Sequence, residues 1–149
     1  MRTIKFRGKS KKTGKWIYGY YLKNRGFDFI VPDEFANGKT WEDYEVIPET
    51  VGMFTGLLDK NGKEIYEGDV IEIKEIGGYG CKRKGVVEYD VNECAFVVRV
   101  LRPSWVGVVK LSTKVQICAD MNCTHEYINQ YTVIGNIHDN PELLKTETL

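Results

Sequence analysis

Thr55-Gly-Leu-Leu-Asp-Lys-Asn-Gly-Lys-Glu-Ile-Tyr-Glu-Gly-Asp-Val-Ile71 is the stretch on which the fold reading turns. Asp59-Lys-Asn-Gly62 predicts a tight reversal, because Asn and Gly accept positive φ and let the chain turn within two or three residues. Short extended arms flank it. Glu67-Gly68-Asp69 then launches the apolar run Val70 to Ile76, and Gly85 to Val91 returns with Val87, Tyr89 and Val91 alternating against Val86, Glu88 and Asp90. These segments predict a second hairpin with a long tip over 77–84. Cys94 to Leu101 reads as continuous apolar strand, with Cys94 a small core residue on it. Pro103 breaks that strand, and Trp105 to Leu111 supplies another.

Upstream, Ile4 and Phe6 alternate with Thr3, Lys5 and Arg7, while Ser10 to Gly14 forms a turn. Lys15 to Leu22 resumes with Trp16, Tyr18 and Tyr20 on one face, completing a hairpin. Phe27 to Val31 is a further apolar run. Downstream, Tyr131 to Ile137 alternates as a strand; within 114–130, Val115 to Ala119 can extend a strand, while Met121 to Gln130 has no strong period and is compatible with a turn of helix. Asn140-Pro-Glu142 predicts a short terminal helix, with Asn as cap, Pro at the first position and Glu at the positive end.

Composition agrees with a folded, soluble β chain. Its 149 residues suffice for one domain, or for a small domain with an extension, and nine Tyr and six Phe tilt it toward sheet packing. There is no apolar run of membrane-spanning length and no signal-type leader, so a cytoplasmic protein without membrane contact is expected. Four cysteines, at 81, 94, 118 and 123, are then expected to stay as thiols. Cys118, Cys123 and His125 form the only metal-like cluster, but Cys81 and Cys94 lie far off and no second close pair completes a zinc set. No cofactor or metal is expected.

The quoted stretch, with Val133-Ile-Gly-Asn-Ile-His-Asp-Asn-Pro-Glu-Leu143, resembles the YopX family of phage and prophage proteins. Ile4-Lys-Phe-Arg7 and Thr13-Gly-Lys-Trp-Ile-Tyr-Gly19 match the family's opening. The resemblance implies a phage or prophage origin and carries no established biochemical activity. It also agrees with the barrel-like texture of Gly68-Asp-Val-Ile-Glu-Ile, a loop, then Gly85-Val-Val-Glu-Tyr-Asp90. The expected fold is mainly β: an amino-terminal β region over 1–54, then an SH3-like barrel with a short carboxy-terminal helix over 55–149.

Zero net charge conceals a gradient. Residues 1–25 hold nine Lys or Arg and no acid, residues 26–80 hold four basic and thirteen acidic residues, and the remainder has eight of each. Either the basic hairpin is neutralised by the acidic segment of its own chain, or it pairs with that segment of another subunit, or it holds phosphates. Lys9, Lys11, Lys12, Lys15 and Trp16, with Lys82, Arg83 and Lys84 as a second basic tip, are the candidate interface or nucleic-acid residues. The alternative is that the aromatics form the sheet core and the lysines merely keep an edge soluble.

Asp59, Glu64, Glu67, Asp69 and Glu72 crowd one segment, but their spacing does not suit a calcium loop, and acids in turns are ordinarily solvated. Gly77-Gly-Tyr-Gly80 lacks the helix start that phosphate cradles use. No nucleophile motif accompanies His125 or His138, so no catalytic residue is assigned. The expected function is a non-enzymatic accessory protein, self-associating as a homo-oligomer or binding a phage or host protein. Nucleic-acid binding through the basic hairpin is the alternative.

Overall fold

The computed structural model describes residues 3–34, 36–77, 82–101, 108–112, 116–120 and 123–145. The chain is mainly β and divides into two compact units, Met1–Leu57 and Leu58–Leu149.

In the first unit, β1 (Phe6–Lys9), β2 (Trp16–Asn24), β3 (Phe27–Val31) and β4 (Gly52–Leu58) form antiparallel pairs in the order β3-β2-β1-β4. The β1–β2 hairpin closes where Ser10 O accepts from Gly14 N (2.8 Å) and Ser10 Oγ from Thr13 N (3.2 Å). Residues 44–47 then return along the sheet: Ile30 N donates to Tyr44 O, Val46 N to Asp28 O, Lys11 N to Glu45 O and Ile47 N to Lys9 O, all at 2.9–3.0 Å. These bonds occupy backbone groups that β1 and β3 would otherwise leave unpaired. Gly8 permits the approach, since a Cβ there would lie 3.1 Å from Val46 and 3.2 Å from Ile30. Ile30, Tyr44 and Val46 are accordingly buried and form the apolar centre of this unit.

The second unit contains β5 (Glu64–Tyr66), β6 (Asp69–Gly77), β7 (Lys82–Asp90), β8 (Ala95–Val100), β9 (Val108–Lys110), β10 (Gln116–Asp120) and β11 (Cys123–Asn136). Its six-stranded antiparallel sheet runs β10-β11-β6-β7-β8-β9. On β6, paired along both edges, Val70, Ile71 and Ile73 are fully buried, as are Ile65, Val87, Val98 and the Tyr131 ring elsewhere in this unit. The Tyr131 hydroxyl donates to Ser112 O (2.8 Å) and accepts from Ser112 N (3.0 Å), satisfying the polar end of a core ring.

Four expectations need correction. Among the described residues no β9–β10 pairing closes the sheet, so these strands form an open sheet in place of the expected SH3-like barrel. The terminal helix is a single 3-10 turn, Pro141–Leu144, because four residues give too few hydrogen bonds to offset the cost of nucleating an α-helix. Cys94 lies outside the core: it is exposed, with φ of 48°, in the turn between β7 and β8. The strand reading of Val115 to Ala119 agrees with β10, but residues 123–130 belong to β11, hydrogen-bonded to β10 and to β6, and not to a helical turn. Pairing along both edges compensates for the absence of an alternating pattern. Trp105, Cys81 and residues 78–80 lie outside the described residues. Among those described, no helix is long and apolar enough to cross a membrane.

Candidate functional site

Strand alternation sorts the first unit into two faces. On one, Arg7 stands opposite Tyr18, Lys9 opposite Trp16, Tyr20 opposite Val31, Leu22 opposite Phe29 and Asn24 opposite Phe27. Gly8, Gly19, Asp28 and Ile30 are at the other parity and are buried. The first face is therefore open along β2 and at Phe27, although Arg7 on β1 is buried. Tyr18 is 43 % exposed, Tyr20 57 %, Leu22 41 % and Phe27 52 %, so Tyr18 and Tyr20 lie outside the core, whereas Trp16 and Tyr21 are half-buried.

Trp41 reaches the same surface from a 3-10 turn, Trp41–Asp43, and packs edge-on against Phe29 with ring centroids 5.8 Å apart. Together with Leu22, Asn24, Arg25 and Phe27 these rings line a groove of about 290 Å³. At the other end, cations cover the rings: Arg7 Cζ lies 4.6 Å and Lys9 Nζ 5.6 Å from the Trp16 centroid, and Lys5 Nζ lies 5.7 Å from that of Tyr18. The Tyr20 hydroxyl is held above its usual pKa by a hydrogen bond to Asp33.

The tip lysines have a different fate. Lys11 Nζ lies 2.7 Å from Glu45 Oε1 and Lys12 Nζ 2.8 Å from Asp43 Oδ1, so two of the basic residues are neutralised within their own unit. The hydrogen bond with Asp43 raises the Lys12 pKa, and the same bond, with the Thr40 N–H, holds the Asp43 carboxyl well below the usual carboxylate range. Lys15 is exposed and Lys9 half-buried. Lys82, Arg83 and Lys84 lie within β7, opposite Lys74, Ile73 and Glu72, and Arg83 approaches Glu75 at 3.6 Å. They belong to the second unit and are strand residues instead of a loop tip.

The crowded carboxylates serve the scaffold. Asp59 is buried, its Oδ1 accepting from Asn61 N (2.7 Å) and Lys63 N (3.0 Å) and its Oδ2 from Val133 N (3.1 Å). Burial pushes its pKa up, but the three backbone N–H groups outweigh that and hold it below its ordinary value. Asp69 Oδ2 accepts from Tyr66 N (2.8 Å), and Glu64 accepts from the Tyr66 hydroxyl (2.6 Å). Asn136 Oδ1 likewise accepts from His138 N and Asp139 N. The motif stretches at 55–71 and 133–143 are thus turn and strand-end chemistry.

The β10–β11 register sets Cys118 opposite His125 and Asp120 opposite Cys123. Among the described residues no group of three or more His, Cys, Asp or Glu side chains is arranged to hold a metal ion. Sequence reasoning found Trp16, Tyr18 and Tyr20 by alternation but missed the groove. Phe27 and Phe29 were legible in the alternation of Phe27 to Val31, whereas nothing local marks Trp41.

A family model described as YopX protein matches residues 5–145. No curated protein matches the chain.

Proposed function

For this chain, which belongs to the YopX family, we propose a non-enzymatic accessory role, of phage or prophage origin, in which the open face of the first unit binds another polypeptide. The observation that carries this is the cluster of exposed Leu22, Phe27 and Trp41 around one groove. Large apolar side chains gathered at 41–54 % exposure around one groove are the anchors that protein interfaces use, and isolated exposed apolar residues would not be. The non-enzymatic reading is supported by Asp59, Asp69 and Glu64, whose carboxylates are engaged by backbone N–H groups or a tyrosine hydroxyl.

Single-stranded nucleic acid is a second reading, favoured by Lys5, Arg7 and Lys9 lying over aromatic rings on the same face. Two facts weigh against it. The tip lysines Lys11 and Lys12 are neutralised by Glu45 and Asp43, and Trp16 already stacks with cations instead of offering a bare platform. Photo-cross-linking from a benzophenone amino acid at Phe27, in cells that carry the gene, tests the proposal. Adducts sensitive to protease and resistant to nuclease are expected; nuclease-sensitive adducts refute it.

A further inference from the structure

Among the described residues Arg25 is the only charged one lining the groove, and the backbone gives no reason for an arginine there. Arg25 and Gly26 are the two central residues of the β2–β3 turn, with φ of 49° and 86°. Two positive φ values in succession suit Asn-Gly or Gly-Gly, and a long side chain with a Cβ is disfavoured. A residue kept where the backbone resists it points to a role for its side chain. None of the ion pairs formed among the described residues includes Arg25.

We infer that the groove takes an acidic, apolar segment of a partner protein: a bulky apolar side chain against Phe27, Phe29 and Trp41, and an adjacent carboxylate on the Arg25 guanidinium. This rests on the polypeptide-binding reading above and adds the chemistry of the partner. Charge selects the occupant. The strand positions on this face of β1, β2 and β3 carry no acid; Arg7 among them is buried, Lys9 is half-buried, and the acid that reaches the face, Asp33, is hydrogen-bonded to the Tyr20 hydroxyl. A second copy offering the same face sets like charges together, whereas an acidic segment meets complementary ones. The planar fork of Arg25 accepts a carboxylate through two parallel hydrogen bonds, fixing the segment's orientation while the rings supply buried apolar area.

Selection of a displayed random-peptide library on the full-length chain, followed by fluorescence polarisation with the strongest peptide and with a thymidine oligonucleotide, tests the inference. The selected peptides are expected to place Asp or Glu within two residues of Trp, Phe or Leu. Arg25→Asn relieves the turn and is expected to keep the β-sheet circular dichroism and at least the wild-type thermal midpoint, yet to weaken peptide binding tenfold or more. Trp41→Ala is expected to weaken it to a similar degree. Changing the peptide's acid to its amide is expected to weaken binding to wild type and to leave binding to Arg25→Asn unchanged. Peptides without a shared acid, or affinity unchanged in Arg25→Asn, overturn the carboxylate assignment and leave polypeptide binding standing. Failure to select any peptide overturns both readings, and oligonucleotide binding lost in Trp41→Ala then identifies nucleic acid as the occupant.

Discussion

Replacing Asp59 with Asn tests whether the motif stretch is scaffold. The carboxylate is 7 % exposed and accepts three backbone N–H groups, at 2.7, 3.0 and 3.1 Å, tying the turn at 59–63 to Val133 on β11. The backbone repeats that tie, since Lys60 N donates to Tyr131 O at 3.0 Å. Asn keeps the size but removes the charge, and it turns an amide NH₂ toward at least one of the three N–H groups. A hydrogen bond to a charged group contributes about 1.5–3 kcal/mol, and a buried N–H left unpaired costs a similar amount. Their losses overlap because the three bonds share one side chain, so about 2–4 kcal/mol of destabilisation is expected near neutral pH. That is a large share of the roughly 5–15 kcal/mol that holds a domain folded. Urea unfolding followed by far-ultraviolet circular dichroism measures the loss, and amide exchange at Asn61, Lys63 and Val133 locates it. The pH dependence has a definite sign. The folded pKa lies below the unfolded value of about 3.9, so the stabilisation is fully present above that value and is lost as pH falls through the folded pKa. The gap between wild type and Asp59→Asn should therefore narrow on acidification below about pH 4. A difference under about 0.5 kcal/mol at pH 7, the range of an inconsequential surface change, refutes the reasoning, as does a gap indifferent to acid.

Gly135→Ala places a Cβ 2.6 Å from Asn140 Oδ1 and Leu143 Cδ1 at the β11 irregularity, and about 1–3 kcal/mol of destabilisation is expected in thermal unfolding. Cys94→Gly relieves a φ of 48° and is expected to stabilise by about 0.5–1 kcal/mol, while the wild-type thiol, being exposed, reacts with a disulfide reagent in the native state. Lys12→Ser removes the hydrogen bond and charge that hold the Asp43 carboxyl low, so carbon-13 titration of that carboxyl should move to higher pH. No movement would show that Lys12 and Asp43 are not paired in solution.

What the chain makes legible is local. The turn at Asp59-Lys-Asn-Gly62 follows from residues that tolerate its geometry, and Gly62 adopts φ of 82°. Alternation put Trp16, Tyr18 and Tyr20 on one face because successive strand residues point to opposite sides. Whether that face is core or surface is not local, since it depends on which side the chain later covers. Residues 44–47 pass along the Gly8 and Ile30 side, leaving the rings open and bringing Glu45 to Lys11 and Asp43 to Lys12 across 34 and 31 residues of chain. The charge gradient was visible in the residue order, but its cancellation at the hairpin tip was not. Asp59 reaches Val133 across 74 residues, which turns an acid expected to be solvated into a buried acceptor. Trp41 joins the groove from a turn whose own sequence says nothing of it. Backbone sterics act over a few residues and can be read in order, whereas pairings between distant segments exist only once burial and hydrogen bonding repay the entropy of closing the intervening chain.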